Sequence, residues 1–428
     1  MTTSPETTTG SCIQRLGRLV VIPSESFADY ERVGLGSRLE AYYNPAGVFR
    51  QVYALSPWES GRREACGMTV LGGSLRKLGR LLVELRPDVV RAYGGFWASD
   101  FTCRHRPAGI PIVVSVHDPH PRMVHRSVAC ADLVLCTSAA VEETVLRRGA
   151  DPSRLRRLPN RVRLEEFRPI SDPAQLAGVA GQFPPGRYIL HVGRKAHEKN
   201  LPAVIEALTF LDDSYKAVFV GRGNPRGFMD MAARLGVARR CFWVPSVPNE
   251  QLPVWFNWCH CMCTPSLWEG FGTVFIEAAA CGAAIVTSNI APMNTFLGHG
   301  TSAHLVDDYH SGRALAAAIA RVCQDADYRR QICQGAIEAA RPFEQSAVDA
   351  LEATYYRQAL RLGPCHVGQA CRAVLEADWQ WRLMTGAAGR SMRALRRARR
   401  RLLGVCGADI ARRHRRAGDG VEQIRGNA

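Results

Sequence analysis

Apolar residues in this chain gather in short continuous runs, not in long stripes. In the first half the runs are 19–23 (LVVIP), the apolar positions of 89–93 (VVRAY), 110–116 (IPIVVSV) and 132–136 (DLVLC). Each is four to seven residues long and bounded by Gly, Pro, Ser or charged residues, which predicts buried strands. Residues 24–45 are turn-rich. Residues 75–85 carry a helical period that Pro87-Asp88 ends, and Thr137 or Ser138 caps a helix through Glu142 to Arg147. A short strand at 154–159 ends in Asn160.

The alternation stops at Phe183-Pro184-Pro185-Gly186 and then begins again. Strands are expected at 188–192, 217–220, 241–244, 261–264 and 284–287. Helices are expected at 201–208, 226–235, 249–258 and 273–280. Strand–helix alternation predicts parallel sheets covered on both faces, and two such series predict two doubly wound α/β domains. Ligands in such folds bind at the carboxyl ends of strands and between domains.

Composition narrows the choice. The chain has 428 residues, 46% hydrophobic and 22% charged, which excludes a wholly disordered chain, collagen and a coiled coil. Fifteen cysteines scattered through apolar runs suit a reducing compartment better than a disulfide scaffold. Residues 1–14 read as a disordered leader without the order of a signal peptide, and no apolar stretch is long enough to span a membrane. The formal net charge is +16. More than half of it lies in residues 390–425, where twelve Arg face Asp409, Asp419 and Glu422. A basic amphipathic helix there suits an anionic membrane surface; without interleaved aromatics, nucleic acid is the weaker fit.

Four segments could carry chemistry. In PSLWEGFGTVFIEAAACG (265–282), Glu269 lies in a glycine loop and Glu277 in the helix that follows. Glycines let a ligand approach the backbone, and a helix start offers N–H groups to an anion. Two carboxylates so spaced can bond hydroxyls on one sugar nucleotide; a plain strand–loop–helix crossover fits the same spacing. In HVGRKAHEKN (191–200), Gly193, Arg194 and Lys199 follow a strand and could neutralise a diphosphate, or simply be solvated. His117 ends a strand, where it could bond a substrate hydroxyl or move a proton. Gly34 and Gly36 lie in a loop after the first strand, short of a dinucleotide fingerprint because Leu39 replaces the third Gly. Cys259-His260-Cys261-Met262-Cys263 looks like a metal box, but alternation on a strand sets its thiols too close for one zinc.

Together these segments resemble the retaining glycosyltransferases of the family-4 type, with the two-domain GT-B fold. The likeness runs from about Leu19 to Leu360. It rests on EGFGTVFIEAAACG, similar to the family's E-x7-E motif, on VGRKAHEKNLPAVIEAL, and on ADLVLCTSAAVEETVLRRGADPSRLRRLPNRVRLEEFRP. The resemblance implies that Arg194 and Lys199 hold the donor diphosphate. It implies that Glu269 contacts the donor sugar, with Gly270, Phe271, Gly272 and Thr273 beside the phosphates, and that Glu277 bonds the ribose. His117 would lie near the transferred sugar, and the loop with Gly34 and Gly36 near donor phosphate and acceptor. No metal or other cofactor is implied. Asn294 stands where relatives often have Glu, and Phe343-Glu344-Gln345 lacks a Trp often found there.

The expected organisation is a leader (1–14), an acceptor-side domain (15–168), a linker (169–186), a nucleotide-sugar domain (187–345), a helix crossing back to the first domain (346–362) and a basic tail (363–428). The expected function is transfer of a hexose from GDP-mannose or a UDP-hexose to a glycan or lipid-linked acceptor. The setting would be cytoplasmic, with residues 388–428 resting on the inner membrane face. A silent binding protein on the same fold, or transfer to a small soluble acceptor, are the rival readings.

Overall fold

The computed structural model describes residues 15–32 and 36–364. The expected leader, Gly34 and the basic tail lie outside them. The first sheet holds β1 (Leu16–Ile22), β2 (Phe49–Ser56), β3 (Arg62–Ala65), β4 (Met68–Gly72), β5 (Val89–Tyr93), β6 (Ile112–Val116), β7 (Leu133–Cys136) and β8 (Leu155–Arg157), in the order β3-β4-β2-β1-β5-β6-β7-β8. All its pairings are parallel except β3 with β4. The second sheet holds β9 (Arg187–Val192), β10 (Tyr215–Val220), β11 (Cys241–Val244), β12 (Cys261–Cys263), β13 (Ile285–Ser288) and β14 (His304–Val306), in the order β11-β10-β9-β12-β13-β14, parallel throughout. Each sheet has an apolar core on both faces, which is why its strands read as unbroken apolar runs. This is the GT-B architecture.

From β9 to β13 the second series follows the sequence reading to within a few residues, whereas β14 and the helices Gly312–Gln324 and Ala326–Ala340 have no assignment from sequence. The first departs from it at the edge. Strands β2 to β4 and a helix at Trp97–Arg104 occupy segments with no assignment from sequence, and the turn-rich 24–45 holds helices at Phe27–Arg32 and Leu39–Tyr43.

The crossing between domains comes earlier than the Pro/Gly stretch suggests. Leu158 packs in the first core, whereas Val162, Phe167 and Val179 pack in the second. Residues 169–186 lie on the second domain. The Ile170 N–H donates to Asn257 at 2.8 Å, and Phe183 stacks on Trp258 at 5.2 Å between ring centroids. An aromatic anchor thus fixes a segment whose composition reads as a linker. The return crossing runs beside the first. Val162 N–H donates to Phe343 O at 2.8 Å, and Gln345 N–H donates to Val162 O at 2.9 Å.

After the return, the helix Gln345–Leu362 lies on the first sheet. Asp349, Glu352 and Tyr356 share one face of it by their spacing. Glu352 and Tyr356 meet Arg91, the central residue of β5, which is 1% exposed. Glu352 accepts from Arg91 at 3.0 Å, from Arg161 at 2.6 Å and from Tyr356 at 3.0 Å, and Asp349 pairs with Arg161. Burial works against the Glu352 carboxylate, but the two arginines hold it below the usual range. Glu352→Gln leaves the buried Arg91 guanidinium without a counter-charge and Arg161 with Asp349 alone. It is expected to cost about 3–5 kcal/mol, read as a lower urea midpoint. Partial recovery in a Glu352→Leu, Arg91→Met double variant would confirm that the unpaired charge is the cause.

Candidate active site

The carboxyl ends of both sheets face one cavity of about 580 Å³. The first domain lines it with Ser24, Tyr30, Arg38, Tyr42, Tyr93 and His117, and the second with Asn249, Thr273 and Glu277; Asn160 and Arg161 line it from the crossing. A smaller pocket of about 270 Å³ adjoins it at the ends of β9, β10 and β11, lined by Gly193, Arg194, Gly221, Arg222 and Asn249 among others.

Glu269 and Lys199 form an ion pair, and Ser266 Oγ donates to the same carboxylate oxygen at 2.7 Å. Gly193 lies directly against the Lys199 side chain, so the glycine leaves room for the cation. Arg194 pairs instead with Glu198 at 2.5 Å, and its side chain is 58% exposed at the smaller pocket. Lys195, given no role by the sequence, bonds the Gly221 carbonyl and, at 2.8 Å, the Val244 carbonyl; it ties strand ends together.

The glycine loop also touches the first domain. A Cβ at Gly270 would run into the His117 carbonyl, and Thr137 Oγ1 donates to Gly270 O at 3.3 Å. Gly272 has φ +86°, the left-handed region that glycine favours, and turns the chain into the helix Thr273–Ala280. No side chain caps this helix, so its first N–H groups are left for a ligand. Asn160 Nδ2 donates to Thr273 Oγ1 at 2.7 Å. The Phe271 side chain turns away and stacks on Phe296 at 5.6 Å, with Phe343 edge-on at 5.4 Å.

His117 and Glu277 have opposite charge problems. Burial, with Arg91 and then Arg161 nearby, pushes the His117 imidazole down to about 4, against the pull of Glu352. The ring is therefore neutral at pH 7, bonded through Nε2 to Ser115 Oγ at 2.9 Å and parallel to Tyr93 at 6.5 Å. Burial pushes Glu277 up to about 7, although a hydrogen bond from Asn249 and the charge of Arg38 draw it down. Asn249 Nδ2 donates to Glu277 Oε1 at 2.9 Å.

The structure thus brings His117, Thr273 and Glu277 into one cavity, pairs Glu269 with Lys199 beside Gly193, and sets Arg194 at the smaller pocket. Gly36 opens the turn that leads to Arg38. Sequence reasoning gave no role to Arg38, Asn160, Arg161 or Asn249, and the sequence holds no motif that marks them. Among the described residues no cluster of three or more His, Cys, Asp or Glu is set to hold a metal, and no helix is long and apolar enough to cross a membrane.

Both halves of the chain match known families. Residues 179–339 match the family model for glycosyl transferases group 1, and residues 41–166 match that for glycosyltransferase family 4. The chain belongs to the family-4 glycosyltransferases. Its curated relatives include D-inositol 3-phosphate glycosyltransferases of Thermobispora bispora (30% identical over 241 residues, 53% of this chain and 56% of that one) and of Catenulispora acidiphila (30% over 285 residues, 59% and 66%). The chain spans somewhat over half the length of these relatives. Among solved structures, Anabaena HepE with UDP has a TM-score of 0.67 at 17% identity, covering 80% of this chain and all of that one. Sucrose-phosphate synthase from Thermosynechococcus elongatus has a TM-score of 0.65 at 18% identity, covering 81% and 99%. Both carry the same fold.

Between pH 4.5 and about 7 the folded family-4 chain keeps a proton on Glu277 that an unfolded chain gives up. Stability therefore falls as pH rises through that window and stays lower above it. Glu277→Gln is expected to melt above wild type at pH 8, with the gain shrinking toward pH 5. An equal difference at both values would show that the buried carboxylate is not the source.

Proposed function

We propose that this protein transfers a hexose from a nucleoside-diphosphate sugar to an acceptor hydroxyl, with retention at the anomeric carbon. The observation that carries the reading is the meeting of Glu277, Thr273 and His117 in one cavity, with the Lys199–Glu269 pair beside the loop that enters it. UDP is the favoured nucleotide, since HepE of the same fold is named in complex with it.

In this reading the base occupies the smaller pocket and the ribose hydroxyls donate to Glu277. The diphosphate lies against the uncapped start of the helix Thr273–Ala280, with Lys199 and Arg194 as its cations. As the bond from the anomeric carbon to the leaving phosphate breaks, negative charge grows on the phosphate oxygen. Fixed N–H groups and a held ammonium stabilise that charge in a water-poor cleft without reorganising. The acceptor oxygen bonds the anomeric carbon on the same face, and its proton passes to the leaving phosphate. Neutral His117 bonds a sugar hydroxyl without adding a charge. None of these steps needs a metal ion.

The acceptor is a glycan or lipid-linked sugar in the first reading. A second reading takes a phosphorylated polyol, as the names of the curated relatives suggest. Arg38 and Arg163 both pair with the single carboxylate of Glu166, at 2.6 and 2.7 Å, which leaves a surplus positive charge at the cavity wall. Residues 388–428 would hold the protein on anionic lipid. Deleting them is then expected to abolish sedimentation with phosphatidylglycerol vesicles, and undiminished sedimentation would exclude that role.

Calorimetric titration with UDP, GDP and ADP tests the donor site. One nucleotide is expected to bind selectively. Lys199→Ala is expected to weaken it about 10- to 100-fold, the weight of a charge-assisted hydrogen bond. A folded wild type that binds none of the three supports the silent-fold reading instead.

A further inference from the structure

The run Cys259-His260-Cys261-Met262-Cys263 lies apart from the cavity, at the amino edge of the second sheet, where Cys261 begins β12. Its side chains divide between the two cores of that sheet. Cys259 and Met262 pack in one, and Cys261 and Cys263 in the other. The helix Gly312–Gln324 covers the face that holds Cys261, and Cys323, in the last turn of that helix, packs against the same core. There the Cys261 and Cys323 side chains hydrogen-bond each other.

The two thiols have different surroundings. Cys261 is fully buried, whereas Cys323 is partly exposed. Two arginines also stand near Cys323. Arg187, which begins β9, donates to Tyr215 Oη at 3.2 Å, and Gln324, the residue after Cys323, donates to the same hydroxyl at 3.4 Å. Arg329 reaches from the helix Ala326–Ala340 to the His260 carbonyl. The bond from Cys261, and then Arg329 and Arg187, hold the Cys323 thiol below its ordinary value against burial. The same bond, with burial, raises the Cys261 thiol, which keeps its proton. Burial also raises the neighbouring Cys333, and pushes Cys259 up to about 12. Burial and the two arginines lower His260, which adds no further positive charge at pH 7. One reachable thiol that ionises therefore stands beside one buried thiol that does not. A thiolate is the form that attacks an oxidant, and a neighbouring thiol is what resolves the product to a disulfide.

We propose that Cys323 and Cys261 form a redox-active dithiol, a site at which a hydroperoxide closes a disulfide between the helix Gly312–Gln324 and β12. The Cys323 thiolate attacks one peroxide oxygen. The O–O bond breaks, which leaves a sulfenic acid on Cys323 and an oxyanion that takes a proton from solvent. The Cys261 sulfur then attacks the Cys323 sulfur. The S–O bond breaks, and the hydroxide leaves as water with the proton that Cys261 gives up. The two sulfurs lose two electrons in all, and the peroxide gains them. The new bond pins the amino end of β12, whose chain runs on to Ser266 and so to Glu269. The site is independent of the donor-site reading.

The test uses the full chain, first reduced and then exposed to hydrogen peroxide, with its cysteine peptides followed by mass spectrometry. Peroxide is expected to produce a Cys261–Cys323 cross-link that dithiothreitol reverses. Before oxidation, iodoacetamide at pH 7 is expected to label Cys323 about tenfold faster than Cys259 or Cys333. Cys261→Ala is expected to leave a sulfenic acid on Cys323 that dimedone traps. Where that variant does not fold, Cys261→Val fills the strand position and serves instead. Cys333→Ala is expected to form the cross-link as wild type does. Peroxide treatment that leaves Cys261 and Cys323 reduced overturns the proposal. So does a Cys323–Cys333 cross-link in place of the expected one, a Cys323 no more reactive than Cys259, or a folded Cys261 variant with no dimedone adduct at Cys323.

Discussion

One buried carboxylate holds the first domain, the domain crossing and the cavity wall in a single arrangement. Arg91 sits at the centre of β5, where all five positions are buried. A guanidinium there loses its hydration, which costs several kcal/mol unless a counter-charge stands against it. That counter-charge is Glu352, which lies 261 residues further along the chain. The first core is thus incomplete until the second domain has formed and the last helix has returned. Arg161, at the outward crossing, bonds the same carboxylate and lines the cavity. Tyr93 lies between Arg91, 4.6 Å from its ring centre, and the His117 ring stacked beyond it. The path from the crossover helix to the imidazole is continuous packing.

That arrangement also explains the charge state of the site. Burial first, and then the two arginines nearby, disfavour a proton on His117, and Glu352 only partly offsets them. The imidazole is therefore suited to hydrogen bonding rather than to charge stabilisation. On the donor-site reading proposed above, the cations nearest the leaving phosphate would be those of the other domain. They are Lys199 and Arg194, with the uncapped helix start, all at the carboxyl edge of the second sheet. The domains divide the work by electrostatics. The first domain offers a neutral imidazole, aromatic walls and Arg38, and the second offers Lys199, Arg194 and amide dipoles.

Much of this was readable in the sequence, for physical reasons that also mark where reading stops. Parallel strands buried on both faces give unbroken apolar runs, so the elements from β9 to β13 could be traced to within a few residues. β2, with the sequence FRQVYALS, has its apolar run broken by Arg50 and Gln51, so it passed unseen although Asn44-Pro45-Ala46-Gly47 marks a turn before it. Glu269, Glu277, Lys199 and His117 stood out because charge beside glycine, or at the end of a strand, is locally unusual. Arg38, Arg161 and Asn249 did not. One Arg among many, or one Asn at a helix start, says nothing until its partner is known. Arg38 and Asn249 are 211 residues apart, and Arg161 and Glu352 are 191 apart. Local pattern carries the fold and the motif residues; the contacts that join the domains are long-range and have no local signature.

The Lys199–Glu269 pair raises a question about affinity. A cation that is already neutralised attracts a diphosphate less than a bare one does. The pair nevertheless holds the ammonium in place before the ligand arrives, so less side-chain entropy is lost on binding. Its second partner, Ser266, holds the carboxylate in turn. A diphosphate leaving group gains charge during the reaction, whereas Glu269 does not. The attraction between Lys199 and the phosphate therefore grows toward the transition state while its attraction to Glu269 stays fixed. An ion pair that weakens ground-state binding but leaves the growing interaction intact favours turnover over tight capture of the donor. On the donor-site reading proposed above, Glu269 would be the counterweight that keeps Lys199 oriented without letting it bind the donor too strongly.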